Sequence, residues 1–504
     1  MEIELKLALP PRHAAAIRRH PLLRAIKPVR HALLSIYFDT PEFALMQRGI
    51  ALRVRRVGYH WVQTLKAEAQ AVGALSSRPE WEMAVAGGAS PDFAVLPQAA
   101  LDLLAGIDLK HIAPAFITEF QRTTWQIGHG EDQAELALDI GEIHAGEAHQ
   151  ALSEVEIELK SGAPKFLFDL ATQLLEQVPL NIEPRSKAER GYLLCGASSP
   201  APAKAVRPAI QPEQTAGVAW NAVMQAALVQ CVANVPGFLE QAHDTEYLHQ
   251  LRIALRRLRV GVTLAKALGQ AAPDWDQSLR ETLCALNPAR DWDVFLHETL
   301  PKTLAALGGV QGKTQTNMQP MAQADDAMLA LVRDIAAHTR QQAQALLLAP
   351  AFTRLVLDIG RSLLTTPADA GMLDSKEWAA KILEKRWLML RKRCRNFAKL
   401  GPAERHMARI AAKKMRYAAD AFAPLYGKRG MRFIEALTAL QNGLGRANDA
   451  HVGAQLLHAL PKKSAPLSFD LGRLAGALEV EAARHAQLSG SIWRRLVQSR
   501  LFWR

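Results

Sequence analysis

Glu2, Glu4 and Lys6 stand at every second position of the chain, with Ile3, Leu5 and Leu7 between and after them. That spacing puts two carboxylates and an ammonium on one face of a strand and the aliphatics on the other. The pattern returns as Glu154, Glu156 and Glu158, alternating with Val155, Ile157 and Leu159. Carboxylates on one face can hold a hard divalent cation, and a neighbouring ammonium can hold an anion. Other stretches alternate alike. Arg53 and Arg55 share a face, as do Val62, Thr64 and Lys66. Arg78, Glu80 and Glu82 share another, with Trp81 and Met83 opposite; Arg122 and Asp139 lie in two further strand-like segments.

One strand with a charged side is ordinarily a surface strand, because charged residues are mostly exposed. About seven strands with the same habit argue for a closed barrel, aliphatic faces outward and charges within. The outside then needs a cover, and 166–178 supplies a helix with Leu167, Leu170, Leu174 and Val178 on one stripe. The interior would collect Glu2, Glu4, Glu80, Glu82, Asp139, Glu154, Glu156 and Glu158. It would also collect Lys6, Arg53, Arg55, Lys66, Arg78, Arg122 and Lys187. Buried charges must be paired or bind ions. A mixed set suits a phosphate polyanion held by the basic groups and Mg2+ or Mn2+ held by the carboxylates.

These segments resemble the CYTH superfamily, the triphosphate tunnel metalloenzymes. The resemblance rests on the Glu-x-Glu-x-Lys start, Tyr37-Phe38-Asp39-Thr40-Pro41, Arg48-Gly49 and Leu52-Arg53-Val54-Arg55. It continues through Leu65-Lys66, Arg78-Pro79-Glu80, Ser153 to Leu159 and Ser186 to Tyr192, in family order over residues 1–195. It implies an eight-stranded antiparallel β-barrel, a tunnel that binds triphosphate groups with a divalent metal. By matching positions, Glu2, Glu4, Glu154 and Glu156 are the expected metal ligands, the two pairs opposed across the tunnel. Lys6, Arg53, Arg55, Lys66, Arg78, Arg122 and Lys187 are the expected substrate contacts. Glu80, Glu82, Asp139 and Glu158 are the expected catalytic carboxylates, orienting the basic groups, positioning water or holding a second metal. The chemistry implied is metal-assisted hydrolysis. No Gly-x-x-x-x-Gly-Lys-Ser/Thr sequence offers a P-loop instead.

The elements behind these residues divide the 504-residue chain, too long for one ordinary domain. Residues 197–214, rich in Pro, Ala and Ser, read as a linker between a β-rich domain at 1–196 and an all-α domain at 215–504. Residues 305–326 read as a loop between helices, and 461–466 as a second break. Charge divides there too. Residues 1–200 hold 20 Lys+Arg against 24 Asp+Glu, which leaves an excess of 16 basic residues for the remainder. The back half should therefore seek a polyanion.

Self-similarity locates that charge. His249, Arg252, Arg256, Arg257 and Arg259 recur 157 residues later as His406, Arg409, Lys413, Lys414 and Arg416. Downstream, Ala289-Arg290-Asp291-Trp292-Asp293 is echoed by Ala447-Asn448-Asp449-Ala450-His451, with one arginine and one aspartate lost. At helical spacing the basic residues take one broad face. Leu248, Leu251, Leu255, Leu258 and Val262 take the other in the first copy, and Ala408, Ala412, Met415, Ala419 and Phe422 in the second. A further basic run, Lys385 to Lys399, adds charge. Residues 215–500 resemble the CHAD domain, a two-fold repeated helical bundle that binds inorganic polyphosphate. The resemblance implies that the ten repeat residues contact polyphosphate.

Both halves thus point to phosphate chains. The expected activity is an inorganic triphosphatase that splits tripolyphosphate into pyrophosphate and phosphate with Mg2+ or Mn2+, its helical domain holding polyphosphate. The alternatives are thiamine triphosphatase or class IV adenylate cyclase in the same tunnel, or a polyphosphate-binding scaffold without catalysis. No nucleic-acid motif accompanies the basic charge, and aromatic interleaving is sparse. Scattered cysteines, no CxxC, no apolar leader and no uninterrupted apolar run of about 18 residues set the expectation of a cytoplasmic chain without a membrane partner, associated with polyphosphate granules.

Overall fold

Alternation at every second residue becomes strand throughout the front of the chain, and 3/4 spacing becomes helix behind it. The computed structural model describes residues 2–67, 70–72, 75–86, 88–208, 210–241, 243–310, 319–365, 374–460 and 465–504. The strands are β1 (Glu2–Ala8), β2 (Val29–Asp39), β3 (Ala51–Val57), β4 (His60–Lys66), β5 (Gln70–Val72) and β6 (Leu75–Arg78). They continue with β7 (Glu80–Val85), β8 (Ala113–His129), β9 (Asp132–Ala145), β10 (Ala148–Ser161) and the short β11 (Asn181–Ile182).

The pairing is antiparallel in the order β1-β10-β9-β8-β2-β3-β4-β7, with β6 on the other side of β1. Pro79 separates β6 from β7, and a proline has no N–H for the ladder. The strand therefore changes partner at this residue: Arg78 pairs with Glu2 on β1, and Glu80 with Lys66 on β4. That exchange closes the ring, so β6 and β7 together count as one of eight staves.

The aliphatic faces point outward, as alternation requires. Leu5, Leu7, Leu136, Leu138, Val155 and Ile157 are all fully buried there. The helix Lys165–Leu175 covers them with Leu167, Leu170 and Leu174. On another side Leu52, Val54 and Leu65 pack with Phe38, Leu45, Leu96 and Leu104. Burying one such side chain is worth about 1.5–3 kcal/mol, so these two clusters hold the barrel shut around its charges.

Compactness divides the chain into two units, and not in chain order. One is Met1–Lys204 with Leu228–Leu251 and Leu347–Thr365; the other is Ala205–Ala227 with Arg252–Leu346 and Thr366–Arg504. In the first unit the helix Pro350–Thr365 lies on Lys165–Leu175. Thr353 Oγ1 donates to the Leu180 carbonyl at 2.8 Å, and Arg361 Nε donates to Asp169 at 2.5 Å. Arg185 joins Glu183 and Glu240 by bidentate bonds of 2.6–2.8 Å.

The second unit is helical. The apolar stripes foreseen for both repeat helices, Glu246–Ala265 and Pro402–Phe422, are buried along their length. The loop expected at 305–326 is instead entered by helix from both sides, Leu300–Val310 and Gln319–Leu348, with 311–318 outside the described residues. Ala, Leu and Met there favour helix enough to outweigh the Gly and Thr that suggested a loop. The break foreseen at 461–466 falls between Lys428–Ala459 and Ala465–Gln498, and 461–464 lie outside the described residues. One stretch, Ala216–Glu240, is long and apolar enough to span a bilayer, though 67% of its apolar window is buried within the protein.

Gly141 on β9 marks the tightest point of the barrel wall. A Cβ there would lie 2.1 Å from the Glu119 carbonyl and 2.4 Å from the Phe120 Cα, both backbone atoms of β8. Gly141→Ala should therefore lower the urea midpoint of the barrel by an equivalent of about 3 kcal/mol, read by circular dichroism in the β region.

Candidate active site in the barrel

The barrel register converts sequence alternation into rows of facing charges. Arg122 on β8 stands beside Asp139 on β9, which stands beside Glu154 on β10. Lys6 on β1 faces Glu156, Glu2 faces Arg78, and Lys66 faces Glu80. Tyr37 and Ser35 on β2 face Arg53 and Arg55 on β3.

Two ion-pair groups result. In the first, Lys66 Nζ donates to Glu2 at 2.7 Å and meets Glu80 at 3.2 Å; Arg78 bonds Glu2 at 3.1 Å and Glu4 at 2.9 Å. Arg53 lies 3.7 Å from Glu80. In the second, Arg122 forks onto Asp139 at 2.8 and 2.6 Å and reaches Glu156 at 2.5 Å. Lys187, the first residue of the helix Lys187–Leu194, meets Asp139, Glu154 and Glu156 at 2.5–2.8 Å. Ser186 and Glu189 cap that helix reciprocally, which fixes where Lys187 enters. The space these side chains leave is about 50 Å3, room for a few waters.

Arg55 differs from the other cations. Among the described residues no carboxylate lies within ion-pair distance of it; it donates to Ser35 Oγ at 2.9 Å and lies 5.8 Å from the Phe120 ring centroid. Burial and the neighbouring Arg53 and Arg122 charges bring its guanidinium down to about 9. It is a half-buried cation that lines the cavity. Burial also pushes Glu2 upward, but Lys66 and Arg78 outweigh it and hold Glu2 at about 2. Glu80 goes up, through burial and the Glu2 charge beside it. Glu156 is held well below the ordinary range, its burial outweighed by Lys187, Arg122 and Lys6.

Most foreseen residues line or anchor this interior, but their grouping differs from the expectation. Strands β1 and β10 are neighbours, so Glu154 and Glu156 stand beside β1 rather than across the tunnel from it. Antiparallel pairing sets Glu2 and Glu4 with Glu80, Lys66 and Arg78, while Glu154 and Glu156 gather with Asp139. Among the described residues, Asp139, Glu154 and Glu156 bring carboxylate oxygens within 4.8 Å of one another. An all-carboxylate set of this kind fits a hard divalent cation. Glu82 is exposed, and Glu158 turns to Lys160 at 2.7 Å, about a third exposed. Neither lines the cavity.

Two contributors were missed. Tyr37 lines the cavity; burial raises its hydroxyl, but the Arg53 and Arg55 charges and an Arg53 hydrogen bond bring it below its ordinary value. Arg190, one turn after Lys187, holds Glu154 at 3.1 Å and the Ala151 carbonyl at 2.7 Å. Its position three residues beyond Lys187 in a capped helix was the available signal.

The ten repeat residues do not form one site. Arg252, Arg256, Arg409 and Lys413 act on one another and on Asp291 and Asp449. Arg252 donates to Asn287 at 2.6 Å, and Arg409 lies 3.5 Å from Asp449. Burial, then Arg256 and Arg409, bring Lys413 down to about 6. Arg259 turns instead to Asp276 at 2.5 Å, and Lys414 lies near Arg259 and Arg386. Arg257 and Arg416 share Asp420. His406 pairs with Asn448 at 2.9 Å, and His249 is half-buried in the first unit. Helix packing sorts these faces.

Glu2 gives this network a pH signature. A carboxylate held at about 2, against an ordinary 4.5, contributes stability above pH 4.5 that is lost as pH falls towards 2. The wild-type urea midpoint should fall through that window, and Glu2→Gln should flatten the fall.

Comparison with known proteins places both halves. Residues 1–192 match the CYTH domain, and residues 222–458 match the CHAD domain. An inorganic triphosphatase of Haemophilus influenzae is 34% identical over 194 residues, which is 38% of this chain and 54% of that protein. The chain thus spans about half the length of this curated relative. The CHAD domain from the plant Ricinus communis is 29% identical, with a TM-score of 0.51 over 60% of this chain and 98% of that one. A putative adenylyl cyclase from Hippeastrum with a dominant triphosphatase activity is 21% identical, covering 38% of this chain and 96% of its own, at a TM-score of 0.29. Residues 1–192 belong to the CYTH family and residues 222–458 to the CHAD family, so the chain is a triphosphate-tunnel domain followed by a helical CHAD domain.

Proposed function

We propose that the chain is a metal-dependent inorganic triphosphatase whose helical unit binds inorganic polyphosphate. One observation carries the reading: a closed barrel whose interior is lined by cations from several strands, with Arg55 left, among the described residues, without a carboxylate at ion-pair distance. A chain of phosphates is the ligand that such a lining accommodates, since arginines bind phosphate oxygens bidentately and cations offset the charge of the transferred phosphoryl. The inorganic triphosphatase relative supports the same substrate class.

In this reading Arg55 is the first phosphate contact, because it loses no ion pair on meeting an anion. Arg53, Lys66 and Lys6 follow, each exchanging a carboxylate for a phosphate oxygen; the small free space leaves no other way in. Arg122 and Arg78 orient from the walls while still held by Asp139 and Glu4. Asp139, Glu154 and Glu156 would hold Mg2+ or Mn2+, which when bound neutralises phosphate charge and holds phosphate oxygens. Thiamine triphosphate or ATP would add a bulky organic group, and apart from Tyr37, Ala51, Ser186 and Ala188 the lining is ionic.

For the helical unit, the converging Arg252, Arg256, Arg409 and Lys413 support polyphosphate as the ligand. Lys413, brought down to about 6 among like charges, regains its proton beside an anion. Retention on polyphosphate granules is the proposed consequence.

Phosphate release with tripolyphosphate, ATP, thiamine triphosphate and long polyphosphate, each with Mg2+ or Mn2+, should show turnover of tripolyphosphate to pyrophosphate and phosphate. No turnover of any triphosphate sinks the enzymatic reading. Glu4→Gln should cut kcat at least about 100-fold while binding to immobilised polyphosphate persists; joint loss would show that the two sites are not separate. Arg256→Glu combined with Arg409→Glu should elute earlier from a polyphosphate column at matched salt with tripolyphosphate turnover unchanged. Unaltered retention would exclude that face.

A further inference from the structure

The three carboxylates suited to a divalent ion already share one cation. Lys187 Nζ lies 2.8 Å from Asp139 Oδ2, 2.5 Å from Glu154 Oε1 and 2.8 Å from Glu156 Oε1. The ammonium donates hydrogen bonds to Glu154 and Glu156, and Asp139 stands at ion-pair distance from it. These are the same side chains whose oxygens lie within 4.8 Å of one another. The ammonium therefore sits where a hard cation would sit, and the two cannot occupy that one position together.

We propose that Lys187 is a built-in occupant of the metal position, and that it yields this position only when a phosphate chain enters the tunnel. The proposal rests on the triphosphate reading of the barrel. Its ligand is the metal–triphosphate complex taken up together, rather than a free ion followed by substrate. The reasons lie in what surrounds Lys187. Asp139 and Glu156 are also held by Arg122, and Glu154 by Arg190, so every carboxylate is compensated without a metal. Adding a free divalent ion would set it against these cations in a buried site, where like charges repel strongly. Lys187 and Arg55 lie against the same Phe120 ring, 5.2 and 5.8 Å from its centroid. A phosphate held by Arg55 thus offers Lys187 a new partner nearby, and its departure frees one oxygen on each carboxylate.

The test titrates Mn2+ into the full chain, following free Mn2+ by electron paramagnetic resonance. Without phosphate, Lys187→Gln should bind Mn2+ at least tenfold more tightly than wild type, while Lys187→Arg should stay as weak as wild type. If Lys187→Gln is unstable because its carboxylates are left uncompensated, Mn2+ should raise its thermal midpoint and leave that of wild type unmoved. With a non-hydrolysable imido-linked triphosphate, wild type should tighten for Mn2+ at least tenfold. Wild type that binds free Mn2+ as tightly as Lys187→Gln overturns the proposal. So does a Lys187→Gln midpoint that ignores Mn2+. Calorimetry on the analogue separates the two levels of the argument: an analogue that fails to bind at all removes the triphosphate reading, and the phosphate-free comparison still decides the role of Lys187.

Discussion

Charge buried inside a closed barrel must be compensated, and most of this domain follows from that requirement. An unpaired ion removed from water costs several kcal/mol even after relaxation. The barrel therefore pairs almost every interior cation with a carboxylate, and the register supplies such neighbours for Lys6, Arg78, Lys66 and Arg122. The outer aliphatic clusters and the helix Lys165–Leu175 hold the wall together around this network. Arg55 is the exception, and an exception in so fully paired an interior is where a ligand is expected. The Lys187 contacts express the same rule: a cluster of three carboxylates is stable only with a cation among them.

Alternation made the barrel legible. Period-two spacing separates inward from outward residues without any knowledge of strand order, and the outward leucines and valines are buried as that spacing requires. Strand order was not legible, because β1 and β10 meet across some 150 residues of chain and no local pattern specifies that meeting. The carboxylate pairs were consequently set across the tunnel, when they lie on neighbouring strands. Glu82 and Glu158 share the spacing of inward residues, but one is exposed and the other turns to Lys160, which spacing cannot reveal. Tyr37 and Arg190 were overlooked for another reason. An aromatic in a strand and an arginine on a short helix are ordinary in isolation and gain meaning from Arg53 and Glu154 beside them.

The helical half divides similarly. Its buried stripes follow from 3/4 spacing, whereas on the basic side of the first repeat helix Arg252 is itself buried. Which cations converge depends on neighbouring helices. Asp276 and Asp420 draw Arg259, Arg257 and Arg416 away, leaving Arg252, Arg256, Arg409 and Lys413 around Asp291 and Asp449. The segment 305–326 shows the opposite error: glycine and threonine suggested a loop where alanine and leucine carry helix into the span from both ends.

The central claim is that the paired interior of the barrel is a phosphate site awaiting exchange of its ion pairs. A crystal structure of the full chain grown with tripolyphosphate analogue and Mn2+ tests it most directly. The account predicts phosphate oxygens on Arg55, Arg53 and Lys66, with Lys187 withdrawn from Asp139, Glu154 and Glu156. Phosphates bound elsewhere, with the ion pairs of the barrel intact, would contradict it.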